Sequence, residues 1–449
     1  MPYKNKKTNK LRKGKLSLSF YLQNNQLFGY FCALFLFMKK IVLLPLSLIL
    51  LLSFCQNEAS KNTADKKAEA VAKKDSTNKD TVVAAVKAAP TSSAFDIKSF
   101  DVKNRFNAIA SVLAGVKTTA GSLTNFLDSS AWKENASFID SSWAKLERAR
   151  LGKMRTWRDK EFTTINQNEK TLFYPFSGPD FLTAYTFFPN VEKYVMLGLE
   201  PVGKLPEISK MKTKEATQYV GGFKTSLADI FNKSYFITQY MGRDLNGSKV
   251  NGTLPVISFF IKRTGNEIAD VKYVVKISKD SIIEVPYDYK DKTHQPFGVR
   301  IDIVSNGQPK SVYYFRYDVS NAKFNDTTVF LKYLNKMQAP VATYVKSASY
   351  LLHNDFMSNM RKFILAKSDD VVEDDTGIPF KYFIEKNNWN TKVYGEYQKP
   401  VKNFNWLDRQ KELQAVFDKD SANIPKLPFH LGYHWSSNKD VLIVCAKKK

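Results

Sequence analysis

The folded part of the chain begins with helical patterns. Between Phe95 and Leu127, apolar residues recur at the three- and four-residue spacing of an amphipathic helix. A second helix is predicted to begin at Asp140 or Ser141, either of which can cap it, and to end near Phe162. The first third of the folded region is therefore expected to be helical.

From Thr171 onward, short apolar runs alternate with helical patterns. Thr171–Phe176 and Lys193–Leu199 are predicted strands, and the helix between them is predicted to begin at Pro179-Asp180. Strand, turn, helix and strand in this order form a βαβ unit. The same order recurs downstream, with these predicted strands and helices: strands 311–318, 341–345 and 371–372, helices 326–337 and 353–365.

The remaining apolar runs complete the predicted fold. Those expected to be strands are 254–262, 271–277 and 297–304, residues 209–236 are expected to be helical, and 427–435 with 441–444 are expected to form a hairpin. Strands that alternate with helices favour a sheet with helices on its faces. We therefore predict an α/β fold: N-terminal helices, then a mostly parallel or mixed sheet with flanking helices, and a C-terminal hairpin.

The first 55 residues have the pattern of an export signal. Residues 1–40 carry nine Lys or Arg and no acid, and the apolar run Ile41–Leu52 follows. Charge before a short apolar run is typical of a secretory signal, and the run is shorter than the about 20 residues of a membrane span. Met38-Lys39-Lys40 is the simplest start of a signal peptide at 38–55, which leaves 1–37 as an upstream artefact or an extension.

The end of this signal resembles the lipobox of bacterial lipoproteins, in Leu52-Ser53-Phe54-Cys55, with Phe54 where a small residue is usual. The resemblance implies that Cys55 is lipidated, with acyl chains such as palmitate, and becomes the mature N-terminus. It implies a protein of the bacterial cell envelope, anchored by lipid in the outer membrane. A retained signal anchor and a cytoplasmic protein are the alternatives.

The next segment is predicted to be a spacer. Residues 56–95 are rich in Lys, Asp, Ala and Thr, and they contain no aromatic residue before Phe95. Such a composition buries too little apolar surface to offset the entropy of ordering, so we expect disorder. Residues 96–446 are then expected to form one large domain whose first part, 96–165, is helical.

Charge and cysteine content narrow the function classes. More than half of the net charge of +25 lies in the leader, the spacer and Lys447–Lys449. We therefore expect no nucleic-acid partner, since binding one would need a clustered basic face. The remaining positive charge is expected to serve attraction to anionic envelope surfaces or solubility. Cys445 would be alone in the mature chain, which excludes an internal disulfide and a cysteine-based metal site.

The turn Ser177-Gly178-Pro179-Asp180 is the strongest candidate for a ligand site. Helix N-termini at the carboxyl ends of strands attract anions, and Glu200 at the end of the next strand would lie beside this turn. The glycine pattern of nucleotide-binding folds is absent, and no cofactor is expected. The alternative is a well-capped structural corner.

Three histidines and an acidic run are further candidates for chemistry. His353 could be a general base, because histidine titrates near neutrality, or could be structural. His430 and His434 would lie roughly 13 Å apart on an extended strand, so no metal site is expected there. Glu373-Asp374-Asp375 could bind a cation such as calcium, or could belong to an ordinary turn.

Four segments resemble a family of bacterial envelope proteins without assigned activity: Tyr174–Asp180, Phe187–Asn190, Gly198–Gly203 and Asp374–Pro379. The resemblance implies no functional residue. We therefore expect a tethered envelope protein with a binding or assembly role toward a protein or glycan. The alternative is a hydrolase or transferase with Asp180, Glu200 and His353 as catalytic candidates and Ser177 and Gly178 beside them.

Overall fold

The strands in the described part of the chain form one sheet. The computed structural model describes residues 95, 97–119, 121–163, 165, 170–233, 245, 250–278, 281–290, 295–397, 400, 404, 407–435 and 439–448. The predicted leader, Cys55 and nearly all of the spacer lie outside the described residues. The strands are β1 (Thr171–Tyr174), β2 (Lys193–Gly198), β3 (Glu267–Ser278), β4 (Ser281–Pro286), β5 (Gly298–Ser305), β6 (Gln308–Arg316), β7 (Val341–Val345), β8 (Asp370–Glu373), β9 (Trp389–Gly395) and β10 (Val441–Lys447).

Helices precede the sheet and connect its strands. They are α1 (Arg105–Leu113), α2 (Thr124–Leu127), α3 (Ser130–Leu146), α4 (Gly152–Glu161), α5 (Phe181–Phe187), α6 (Thr213–Ser226), α7 (Ala228–Lys233), α8 (Leu254–Arg263), α9 (Val329–Leu334), α10 (Ser358–Lys367), α11 (Lys381–Ile384) and α12 (Lys411–Asp420). A π-helical segment, Glu147–Leu151, joins α3 to α4 without a break. No helix among the described residues is long and apolar enough to cross a membrane.

The sheet is mixed, with a parallel centre between two antiparallel ends. Its strand order is β4-β3-β5-β6-β2-β1-β7-β8-β10-β9. The five strands from β6 to β8 are parallel, and the strands outside them pair antiparallel. The predicted α/β class is therefore confirmed, including its mixed sheet, its flanking helices and its C-terminal antiparallel pair.

Successive residues of the central strands belong to opposite faces. Leu172 and Tyr174 belong to one apolar core, under helices α1 to α8, whereas Phe173 between them belongs to the other, under α9 to α12. Both faces are covered, so these short strands are apolar along their whole length, as parallel strands usually are. This accounts for the continuous apolar runs in the sequence.

The strand order reverses between β1 and β7. From β1 the chain moves outward to β2, and later returns to the other side of β1 as β7 and continues to β8. In open α/β sheets, the loops that leave such a pair of strands diverge to opposite faces and leave a crevice at the carboxyl ends. The loops after β1, β7 and β8 therefore lie where a ligand site is expected in this fold.

Two predicted elements near the ends of the domain were placed wrongly. The second helix begins at Ser130, capped by Ser129, and not at Asp140 or Ser141. Residues 427–435 form no strand; β10 pairs instead with β9, which lies far earlier in the chain. Pairing over such a separation is a tertiary contact that local alternation of side chains does not record.

The run 254–262 is also a helix and not a strand. Every residue from Leu254 to Ile261 is buried, so the helix is apolar on all sides and lacks the polar stripe that would mark its period. Pro255, in its first turn, is compatible with a helix start.

Candidate functional site

The turn after β1 buries the carboxylate of Asp180. Its Oδ1 accepts a hydrogen bond from the backbone N–H of Thr183 (3.0 Å) and so caps α5. Its Oδ2 accepts one from the hydroxyl of Tyr174 (3.1 Å). The carboxylate of Asp180 thus accepts a hydrogen bond from a free N–H group at the N-terminus of α5. The position that the sequence suggested for an anionic ligand is occupied by this side chain.

Asp180 forms a buried ion pair with Lys346, the residue that follows β7. The ammonium group donates to Asp180 Oδ2 and also to the hydroxyl of Thr183 (3.1 Å). The two side chains are 3% and 2% exposed. Burial lowers the pKa of Lys346, and the carboxylate of Asp180 acts in the opposite direction. The pair joins the loops after β1 and β7 where the strand order reverses.

Arg150 is a second buried cation close enough to interact with Asp180. It lies in the π-helical segment, where the neighbours Arg150 and Leu151 are both buried. Its guanidinium donates to the carbonyl of Ile230 (2.7 Å). Burial lowers its pKa to about 10, although the charge of Asp180 favours the protonated form. Arg150 is therefore a core residue.

Ser177 and Glu200 lie together beside β2. The hydroxyl of Ser177 donates to the carbonyl of Leu197 (3.0 Å), and Glu200 Oε2 accepts from the backbone N–H of Leu199 (3.1 Å). A Cβ atom on Gly198 would lie 2.5 Å from Glu200 Oε2 and 3.1 Å from the Cα of Gly178. The hydroxyl of Tyr314 also donates to Glu200 Oε2 (3.3 Å), so Glu200 lies next to the turn and is held by a backbone N–H and a tyrosine.

Asp374 connects the loops after β7 and β8. Its Oδ2 accepts a hydrogen bond from the backbone N–H of Ser347 (2.8 Å), and its Oδ1 accepts from the backbone N–H and hydroxyl of Thr376 (3.0 and 2.5 Å). Burial raises its pKa to about 6, and the negative charge of Asp375 adds to this, although the hydrogen bonds act against it. Asp374 can therefore exchange a proton near neutral pH.

Asp375 lies between a tyrosine and a histidine. Its Oδ2 accepts a hydrogen bond from the hydroxyl of Tyr350 (2.6 Å), and its Oδ1 lies 3.7 Å from His434 Nε2. Burial lowers the pKa of His434, but the interaction with Asp375 outweighs burial and raises it overall. The 3.7 Å separation is that of an ion pair and is too long for a hydrogen bond. A buried carboxylate beside an imidazole is an arrangement used for general acid–base catalysis.

His353 lies on the other side of Tyr350. Their ring centroids are 5.1 Å apart in an edge-to-face contact. Burial lowers the pKa of His353 to about 4, and Asp375 acts against this shift. His353 is therefore neutral at pH 7, while its Nε2 is buried without a hydrogen-bond partner among the described residues.

The loop after β7 is strained. Ser347, Ser349 and Tyr350 all have positive φ angles (53°, 52° and 56°), which non-glycine residues seldom adopt. Such strain costs of order 1–3 kcal/mol per residue and concentrates at functional sites. Opposite this loop, a Cβ atom on Gly432 would lie 2.8 Å from Asp374 Oδ2 and 2.9 Å from Ser347 Oγ, so this close approach requires glycine.

The site has a buried floor and a half-buried rim. Asp180, Lys346, Asp374 and Asp375 are each at most 5% exposed, whereas solvent reaches the residues above them. The half-buried residues are Ser347, Ser349, His353, Tyr433 and His434. We call Asp180, Lys346, Asp374, Asp375, His353 and His434 the carboxyl-edge cluster.

The structure divides the residues that the sequence singled out. Asp180 and His353 belong to the carboxyl-edge cluster, while Ser177, Gly178 and Glu200 lie beside β2. Lys346 was not foreseen, because a single lysine after a strand carries no signal of burial. The acidic run had been considered for a cation or a turn, and Asp374 does make a turn with Thr376.

The histidines near the C-terminus have carboxylate partners of their own. Residues Gly432–His434 form a 3-10 turn, so the strand assumed for His430 and His434 is not present. His430 Nδ1 lies 2.6 Å from Asp440 Oδ2, and its side chain is 46% exposed. Among the described residues, no group of three or more His, Cys, Asp or Glu is arranged to hold a metal ion.

Comparisons with known proteins leave the site to be interpreted from its geometry. No protein-family model matches the chain. A search of curated proteins also returned no match.

The raised pKa of Asp374 has a consequence for stability. Since the folded protein binds this proton more tightly than the unfolded chain does, the contribution of Asp374 to stability falls as pH rises from about 4 through 6. Replacing Asp374 with Asn removes this dependence. We therefore expect the difference in free energy of unfolding between Asp374→Asn and the unmodified protein to shift in favour of the variant when pH rises from 5 to 7.5. The shift should be on the order of 1 kcal/mol, measured by urea unfolding at the two pH values.

The matched control is Asp408→Asn, at an exposed position. Its stability relative to the unmodified protein should not change between the two pH values. If the difference in free energy of unfolding between Asp374→Asn and the unmodified protein does not depend on pH, the raised pKa of Asp374 is contradicted.

Proposed function

We propose that the carboxyl-edge cluster is the active site of a hydrolase or transferase that acts on a component of the bacterial envelope. The observation that carries this proposal is the convergence of buried titratable groups from the loops after β1, β7 and β8, at the reversal of strand order. Buried ion pairs and acids contribute little net stability, so their accumulation at one edge favours a role in chemistry.

The geometry suggests a role for each part of the cluster. His434 is the general base, because it lies on the half-buried rim and its Nε2 is 3.7 Å from Asp375 Oδ1. The carboxylate favours a proton on Nε2, which leaves Nδ1 to accept a proton from the reacting group. Asp374 is a proton donor that titrates near neutral pH. Ser347 offers a hydroxyl next to Asp374, and this hydroxyl has no hydrogen-bond partner among the described residues.

The test is a panel of chromogenic substrates: p-nitrophenyl acetate, p-nitrophenyl phosphate, bis(p-nitrophenyl) phosphate and a p-nitrophenyl N-acetylhexosaminide. At least one should be hydrolysed by the unmodified protein and left nearly intact by His434→Gln. The control His430→Gln removes a histidine that pairs with Asp440 outside the cluster. Equal rates for all three proteins on every substrate would contradict an active site at this cluster.

A second candidate is a non-catalytic binding or assembly role, favoured by a cleft beside α4. The cleft has a volume of about 660 Å³ and a floor that includes Trp157. Its lining contains four cationic side chains (Arg148, Lys153, Lys160 and Lys426) and two acidic ones (Glu147 and Glu161), so the positive charge is in excess. A cationic cleft suits an anionic envelope polymer. Crosslinking in intact cells should then recover such a partner with the unmodified protein and less of it with Lys153→Glu.

We also propose that the domain is tethered to the membrane through Cys55 and the 56–95 segment. Intact-mass measurement of the membrane-extracted protein should give a chain that begins at a lipidated Cys55. Cys55→Ala should abolish this species, whereas Cys32→Ala should leave it unchanged, since Cys32 precedes the predicted start of the mature chain. A mass that includes residues 38–54 would contradict lipidation and favour a retained signal anchor.

A further inference from the structure

A cavity at the amino edge of the parallel strands is lined by three arginines. Arg155 and Arg158 come from α4 and Arg263 from the last turn of α8. The cavity has a volume of about 440 Å³, within the range of pockets that hold small molecules. Asn190, which precedes β2, lines the same cavity and places it at the edge opposite to the carboxyl-edge cluster. We call it the arginine cavity.

The positive charge of the cavity exceeds the negative charge that faces it. Glu147 is the acidic residue in its lining, and it pairs with Arg155. Arg158 and Arg263 pair with Asp159 and Asp140, whose side chains are 65% and 63% exposed. Solvent screens the charge of these exposed carboxylates, so they compensate the positive charge inside the cavity only in part.

Two of the arginines, Arg158 and Arg263, are largely buried. Arg158 donates to the carbonyl of Thr186 (2.6 Å), which anchors it at the end of α5. Arg263 is 91% buried by its side chain, and its Nε has no hydrogen-bond partner among the described residues. A buried, unsatisfied N–H of this kind is costly unless a ligand accepts its hydrogen bond.

Two aromatic side chains complete the cavity wall. Trp143 and Tyr185 both line it, and the guanidinium of Arg263 lies 5.9 Å from the ring centroid of Trp143. Both aromatic residues are half-buried, so parts of their rings remain accessible. The lining therefore combines an anion-binding group of arginines with a surface on which a planar molecule can pack.

We propose that the arginine cavity binds a small organic phosphate. Arg155, Arg158 and Arg263 hold its phosphoryl group, and Trp143 and Tyr185 contact its ring. Guanidinium groups match the geometry of phosphate oxygens, with which they form paired, charge-assisted hydrogen bonds. Burial lowers the pKa of Arg155, and repulsion by the charge of Arg158 lowers it further. A bound dianion would offset this repulsion. This site is independent of the proposed active site.

The test is isothermal titration calorimetry of the folded protein at constant ionic strength, with phenyl phosphate, inorganic phosphate and succinate as probes. Phenyl phosphate should bind at least fivefold more tightly than inorganic phosphate, because its ring adds contacts in the cavity. Arg155→Gln should weaken phenyl phosphate binding about tenfold. The side chain of Arg155 is 43% exposed, so this variant should fold.

Arg409→Gln is the charge-matched control, at an exposed position. It should change the affinity less than twofold. Equal weakening by both variants would show that general electrostatics and not the cavity binds the anion, and would overturn the proposal. Absence of phenyl phosphate binding at millimolar concentration, or tighter binding of succinate, would overturn it as well.

Discussion

Asp375→Asn is expected to lower kcat/KM by about 10²- to 10⁴-fold on whichever chromogenic substrate the unmodified protein hydrolyses. This is the range that a positioned general base contributes. The amide can still accept the hydrogen bond of Tyr350, so the loop should keep its conformation. It carries no charge, however, and can no longer favour the protonated form of His434.

A second readout separates this chemical role from a structural one. The interaction with Asp375 raises the pKa of His434 against the effect of burial. NMR titration of the imidazole nitrogens should therefore give a lower pKa for His434 in Asp375→Asn than in the unmodified protein. Asp375→Glu, which restores the carboxylate, should recover part of both the pKa shift and the rate. An unchanged pKa of His434 in Asp375→Asn would refute the proposed pair.

Lys346→Met is expected to destabilise the fold by about 3–5 kcal/mol, the cost of removing one partner of a buried ion pair. Methionine matches the apolar stem of lysine but leaves the carboxylate of Asp180 in the core. The hydroxyl of Tyr174 and the N-terminus of α5 still stabilise that carboxylate, and Arg150 remains near it. Urea unfolding at pH 7.5 measures the loss.

The control for this prediction is the exposed ion pair between Lys170 and Glu192, whose side chains are 43% and 53% exposed. Lys170→Met should cost less than about 1 kcal/mol. The double variant Lys346→Met with Asp180→Asn should lose less stability than the two single variants do in sum. The reason is that Asp180→Asn removes the buried negative charge that Lys346→Met leaves without a partner. Similar small losses for Lys346→Met and Lys170→Met would contradict a buried ion pair.

Secondary structure is predicted best from local sequence where the apolar side chains follow one clear period. Val341–Val345 was predicted at the bounds that the structure has, since a short β-branched run between turn residues is hard to accommodate otherwise. The alternation of strands and helices likewise predicted the α/β class. The run at 254–262 failed because a helix buried on all sides has no polar stripe from which to recognise its period.

The candidate site was predictable only in outline. Loops after parallel strands are general places for ligands, so the sequence could direct attention to Asp180 and His353. It could not indicate that Lys346, far along the chain, would neutralise Asp180. Nor could it indicate that His434 would face Asp375, because that contact depends on the path of the chain between α12 and β10.

The sequence by itself determined the α/β class, the main βαβ segments and the acidic, histidine-containing loops, because these depend on side-chain periodicity and turn chemistry within a few residues. The tertiary structure decided which loops meet at the reversal of strand order, the partnership of β9 with β10, and the burial of Arg150 and Lys346. Burial and charge pairing are set by packing between distant segments, and the same lysine or arginine would be solvated on any single isolated helix or strand.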